Sequence, residues 1–234
     1  MIHRCLIAAL LLAPALALAA PPKPYTAQYE VLRNGEKLGK AVVTFKALPN
    51  NRFELDSDTT GNQGLAAIAG ISVNERSILR WNGAQAETVS YSYKQQMAWK
   101  TRERGLQVDA AAGRIISTDK DRRYDLDYRP GVIDRHAVTV ALIQDLASGK
   151  SGDFLFTVPD KDELSTQRYR SSASERIRTA LGMQQAIRVD RVRESGGGRS
   201  TTIWFGQDKN FVPLRVLQQE PDGDTVEMNI VSIR

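Results

Sequence analysis

Beyond residue 19 the chain contains one histidine, His136, and no cysteine, which narrows the chemistry it can perform. A Ser–His–Asp relay or an imidazole-based metal site would have to run through His136, beside Asp134 and Arg135. That position opens an apolar segment, where a partly exposed helix-start residue is the plainer reading. One histidine without cysteine excludes zinc, copper and haem sites built on those ligands. Three carboxylate pairs sit at i, i+2 spacing: Asp56/Asp58, Asp125/Asp127 and Asp222/Asp224. Each pair would share one face of a strand and could serve acid–base glycoside chemistry or calcium. No calcium-loop spacing surrounds them, and strand exteriors and turns routinely carry such pairs.

Other motifs fail on context. The run Ser195, Gly196, Gly197, Gly198 lacks the lysine and the strand-to-helix setting of a phosphate loop, and reads as a hairpin tip. There is no G-x-S-x-G elbow. Seven arginines between Arg168 and Arg193 alternate with apolar residues, as on the solvent face of a half-buried sheet, although they could also form a stripe for anionic lipid or an acidic partner. No catalytic, cofactor-binding or metal-binding residue is therefore assigned, no cofactor is expected, and the chain reads as a non-enzyme. A hydrolase using Asp125 and Asp127 is the alternative.

The first residues address the compartment. Arg4 supplies a positive n-region, residues 6–18 an apolar run too short to span a bilayer, and Ala17-Leu18-Ala19 a small-residue cleavage site. Residues 1–19 are predicted to be a secretory signal peptide and 20–234 a single β-rich periplasmic domain. Cys5 precedes the apolar run, so lipidation is not expected, and the exported domain has no disulfide. The net charge of +5 and pI near 9.4 allow attraction to anionic lipid head groups, lipopolysaccharide or acidic partners. Intermixed acidic residues and export both argue against nucleic acid.

The elements that would position any site are mostly strands. Residues 25–32, 37–48 and 52–60 alternate in period two around Asn34-Gly35, a type I′ hairpin signal, and make a meander. Turn signals recur every ~8–12 residues thereafter, favouring a sandwich or barrel-like sheet over βαβ units. The sharpest hairpin is residues 201–217, with Trp204 as a core anchor. Pro213, lacking an amide donor, marks an edge or a bulge there.

Two stretches break the pattern. Residues 61–71 are small, apolar and glycine-punctuated, and predict a loop with one helical turn at 65–68, either packed down or acting as a lid. Residues 134–148 predict one helix, with Asp134 as N-cap, Val138, Leu142 and Leu146 on one stripe, and Gly149 as the stop. A single apolar helix in a β-rich chain fits the concave side of a curved sheet. The expected fold is mainly β: a long antiparallel meander curled into a half-barrel or spiral sheet, with one main helix on its concave side. Leu65, Ile68, Ile71, Val138 and Leu142 are the expected ligand-lining residues.

The chain resembles the bacterial exported family called domain-of-unknown-function family 3108. The resemblance rests on Tyr29-Glu30-Val31, Gly35 and Leu38-Gly39, on Asp134 and Leu142, on Glu175 to Gly182, and on Trp204, Asp208 and Pro213-Leu214. It implies fold and location, since the family carries no established activity. More distantly, the pattern is similar to the curved sheet of periplasmic lipoprotein carriers, which implies a hydrophobic concavity. The expected function is binding of an apolar ligand, lipid, lipoprotein segment or peptide in support of the envelope. Partners would be lipid, lipoprotein or an envelope protein; a protein–protein scaffold without a cavity is a further alternative.

Overall fold

The computed structural model describes residues 20–64, 70–83, 85–193 and 198–234. The predicted signal peptide, the helical turn at 65–68 with Leu65 and Ile68, and the tip at 195–197 lie outside these residues. Among the described residues fourteen strands and one α-helix are formed, with a 3-10 turn at Gln207–Lys209. The first meander comprises β1 (Tyr25–Arg33), β2 (Glu36–Leu48), β3 (Arg52–Gly61), β4 (Ser72–Asn82), β5 (Gln85–Met97), β6 (Lys100–Asp109), β7 (Arg114–Asp119) and β8 (Arg122–Asp127). Helix α1 (Val138–Ala147) follows. The second meander comprises β9 (Asp153–Asp160), β10 (Glu163–Thr179), β11 (Gly182–Val192), β12 (Ser200–Gly206), β13 (Pro213–Gln219) and β14 (Thr225–Ile233).

All fourteen strands form one antiparallel sheet in the order β8-β7-β6-β5-β4-β3-β2-β1-β14-β13-β12-β11-β10-β9. The two meanders therefore meet through β1 and β14, and the sheet does not close into a barrel. It curls nonetheless. The segment leaving β8 accepts a hydrogen bond at the Val132 carbonyl from the Thr88 amide of β5 (3.1 Å), while the Ile133 amide donates to the Thr157 carbonyl of β9 (3.0 Å). Strands far apart in the sheet order can share one linker only if the sheet wraps around it.

The turns are made by the residues the sequence marks for them. Asn34 and Gly35 take φ of 52° and 82°, both in the region a type I′ turn demands. Pro213 sits at a bulge: the β12–β13 register slips between Trp204 and Phe205, and Phe205 faces Pro213. Its strand is interior to the sheet, so the bulge, rather than an edge, accommodates the missing amide. Gly39 is a close-approach glycine, since a Cβ there would lie 1.9 Å from the Thr60 carbonyl oxygen.

The helix begins later than the sequence pattern predicts. Its N-cap is Ala137 and makes no side-chain cap bond. Asp134 instead caps the turn before it, accepting the amides of His136 (3.0 Å) and Ala137 (2.9 Å). The stop is as expected: Gly149 takes φ of 84°, and its amide and that of Lys150 bond back to the Leu146 and Asp145 carbonyls, a Schellman closure.

The helix packs against the concave face of both meanders. Val138, Leu142 and Leu146 join Phe53, Leu55 and Leu79 from one side and Phe154, Tyr169 and Phe205 from the other in one core. An aromatic file crosses β1 to β4 beside it, with Phe45 stacked on Phe53 at 5.6 Å and Trp81 edge-on to Phe53 at 5.5 Å. Such rings bury large apolar area and hold the end of the curl nearest the helix shut. Trp204 packs differently from its neighbours. Ile203 and Phe205 face the core, while Trp204 lies under the guanidinium of Arg215 (4.9 Å) and donates its indole N–H to Glu175 (2.6 Å).

Candidate binding site

Strand register converts the first meander's alternation into rows across the inner wall. Nearest the helix, Phe53 faces Leu79. The next row is Leu55, Ser77, Tyr91, Leu106 and Ser117, and the row beyond is Ser57, Glu75, Tyr93, Arg104 and Asp119. The inside of the curl thus passes from apolar to charged within two rows. The helix fills the apolar end, and the polar rows line the end it leaves open.

One network ties the helix to this wall. Asp134 is buried and accepts hydroxyl hydrogen bonds from Ser77 (2.9 Å) and Thr88 (2.8 Å), besides the two amides of its own turn. Burial pushes its carboxyl up, and the hydrogen bonds from Ala137, Thr88 and Ser77 oppose that shift. His136 lies between two serines, with Nε2 2.8 Å from the Ser57 hydroxyl and Nδ1 3.0 Å from that of Ser77. Because Ser77 spends its proton on Asp134, it accepts from Nδ1–H, leaving Nε2 to accept from Ser57. Burial drives the His136 pKa down to about 3, so the ring is neutral at physiological pH.

The order Ser57–His136–Ser77–Asp134 looks at first like a nucleophile relay. In a working relay the carboxylate touches the imidazole and supports its positive form. Here a serine intervenes, and a base with a pKa near 3 has little pull on a hydroxyl proton at pH 7. The network fixes the turn before the helix onto β3, β4 and β5.

The next row is less settled. Burial raises the Glu75 carboxyl to about 7, a shift opposed by Arg135, increased by Asp134 and opposed again by Arg199. Arg104 and Asp119 pair loosely at 3.6 Å. The Tyr91 hydroxyl is buried without any hydrogen-bond partner, and Nε of Arg104, also buried, has only that long ion pair. Both residues line a cleft of about 30 Å³, closed on its other sides by Asp134, Arg135, Asp160 and Lys161. That is room for one small polar group, and buried polar atoms normally find a partner.

The sequence-predicted site residues scatter. Val138 and Leu142 are 2% and 0% exposed within the core and border neither this cleft nor the two larger surface grooves described below. Ile71 is half-buried at the end of the loop after β3. Asp125 and Asp127 are exposed on β8, opposite the half-buried Leu126, and Asp125 pairs with Arg114 at 3.0 Å. Asp224 clamps a turn by accepting from Asn34 (3.0 Å) and from Arg33. Asp56 and Asp58 lie on the face opposite Ser57, where Asp56 lines a groove of about 420 Å³ with Arg76 and Lys94. Among the described residues no cluster of three or more His, Cys, Asp or Glu side chains could hold a metal. Arg168 and Arg170 both pair with Asp153 and face outward, whereas Arg191 stands beside Tyr169 on the inner wall. Ser57, Glu75, Ser77 and Tyr91 escaped sequence reading. Their only signal was polar residues at inward positions of otherwise apolar strands.

The profile of a family described as "Protein of unknown function (DUF3108)" matches residues 24–231. The chain belongs to this family. No curated protein matches it. Among solved structures, a β-barrel-like protein of the DUF1849 family from Brucella abortus aligns at a TM-score of 0.58 and 10% identity, covering 92% of this chain and 99% of that one. This likeness shows a shared fold. MucB aligns at 0.34 and 10% identity, over 94% of this chain and 55% of that one. A Pseudomonas aeruginosa MucA/MucB complex gives 0.31 and 9%, over 90% and 51%. Among the described residues no helix is long and apolar enough to cross a membrane.

Proposed function

We propose that this DUF3108 member is an exported, non-catalytic binding protein of the bacterial envelope. The open end of its curled sheet holds the polar part of a lipid, a lipoprotein segment or a peptide. The observation that carries this reading is the buried Tyr91 hydroxyl, which has no hydrogen-bond partner, beside Arg104, whose Nε is held only by a 3.6 Å ion pair to Asp119, on the wall of one small cleft. Unsatisfied buried donors cost stability and persist where something else satisfies them. The ligand's contact is polar rather than the apolar concavity expected from sequence, because α1 already fills the apolar end. Export is supported by the composition of residues 1–19. The absence of catalysis is supported by the low basicity of His136 and by the outward placement of Asp125 and Asp127.

Native mass spectrometry of the protein purified from a periplasmic extract tests this. The wild type should carry an additional non-covalent mass, and the Tyr91→Phe, Arg104→Leu double variant should lose most of it. A wild type that shows only its polypeptide mass, even after incubation with envelope lipid extract, refutes the reading.

A further inference from the structure

We infer that the rim of the curl carrying Trp99 docks on the surface of an anionic phospholipid bilayer. Trp99 sits at the tip of the β5–β6 hairpin and is 89% exposed, while Trp81 and Trp204 are 5% and 8% exposed. Met97, on the same tip, is 43% exposed. The turn between them is held by Ala98 at φ of 52°, a left-handed conformation that an alanine adopts reluctantly. Folding alone gives no return for presenting an indole to solvent from such a turn. An indole with an apolar body and an N–H handle suits the head-group layer of a bilayer.

Charge complementarity selects the occupant. The hairpin tip and the neighbouring β7–β8 turn bound an open groove of about 810 Å³, flanked by the four cations Lys100, Arg102, Lys120 and Arg122 against two acids, Asp121 and the Arg104-paired Asp119, so its lining is net basic. None of these four cations makes an ion pair among the described residues, whereas Lys94 beside them is paired with Glu103 at 3.1 Å and Arg104 with Asp119 at 3.6 Å. Unpaired cations ringing an exposed tryptophan match an anionic surface, toward which each basic residue contributes roughly a fivefold gain in partitioning. This rim lies at the end of the sheet toward which the Glu75–Tyr93–Arg104 row leads, so docking turns the polar mouth toward the membrane. The inference needs no ligand in that mouth and can succeed or fail independently of one.

The test uses the full exported domain, with vesicles of phosphatidylglycerol and phosphatidylethanolamine set against pure phosphatidylcholine vesicles. Since Trp99 is the sole exposed tryptophan among the described residues, a blue shift of emission on vesicle addition reports its insertion. The wild type should co-float with the anionic vesicles, shift blue, and be released as salt is raised toward ~0.5 M. Trp99→Ala should remove the shift without altering thermal stability, because the side chain touches little of the fold. Lys100→Glu with Lys120→Glu should reduce flotation at least ~25-fold. Equal binding to phosphatidylcholine, no flotation of the wild type, or a Trp99→Ala protein that binds like wild type each overturns the inference; so does a surface that captures only a protein partner.

Discussion

Replacing Glu75 by Gln should make the protein's stability less sensitive to pH in a defined window. The folded carboxyl titrates near 7 against an ordinary value of 4.5, because burial on the inner wall disfavours its charge. Below about pH 4.5 the group is protonated whether the chain is folded or not, and it costs nothing. As pH rises, the unfolded chain releases this proton first, so the folded state is penalised progressively until the folded group also ionises. At ~1.4 kcal/mol per unit, a shift from 4.5 to 7 corresponds to about 3 kcal/mol lost by pH 8. Glutamine keeps the shape and carries no proton to lose. Urea unfolding of both proteins at half-unit steps from pH 4.5 to 8 should therefore show the variant gaining on the wild type by about 3 kcal/mol across the window. Asp56, whose shift owes nothing to Glu75, titrates in both proteins and cancels in the difference. Two curves that stay parallel would show that Glu75 is solvated like a surface carboxylate, and the account of the inner wall would be wrong.

Other expectations concern the fold and its anchors. Asp134→Ala strands the Ser77 and Thr88 hydroxyls and the amides of His136 and Ala137, and should cost about 3 kcal/mol in thermal unfolding, with the 129–137 segment exchanging amide hydrogens faster. Gly39→Ala forces a Cβ against the Thr60 carbonyl; it should destabilise by about 2 kcal/mol or more, read by urea midpoint, although alanine elsewhere in a strand is neutral or better. Trp204→Phe loses the bond to Glu175 and part of its stacking under Arg215, and should cost about 1–2 kcal/mol by the same measurement.

The fold was legible because its devices are local. Asn34-Gly35 sets its own turn, Gly149 stops its own helix, and Phe154, Phe156 and Val158 declare a face by alternation alone. The start of the helix was misplaced because Asp134 bonds to Ser77 and Thr88 as well as to its own turn; an N-cap and a buried anchor present the same residue type. The site was illegible for a related reason. Glu75 and Tyr91 become neighbours of Arg135 only through strand register and the return of the linker across the curl. In sequence, Glu75 is one polar residue in an alternating strand, indistinguishable from one facing solvent. Val138 and Leu142 read as cavity-lining because they are apolar and central, and those same properties place them in the buried core.

The pairing of β1 with β14 has a consequence for how the chain becomes a protein. Thr26 and Arg234 exchange both backbone hydrogen bonds, so the first strand waits for the last before one of its edges is satisfied. Among the described strands every other ladder joins neighbours in sequence and can form as the chain emerges, hairpin by hairpin. The seam cannot, and it sits at the middle of the sheet, where its failure would leave two open half-sheets with exposed edges. Such long-range closure is slow, and unpaired edges invite association with other chains. Refolding should therefore show early hairpin protection in both meanders and late protection at the β1–β14 seam, with the interval between them as the period when the chain most needs shielding from its neighbours.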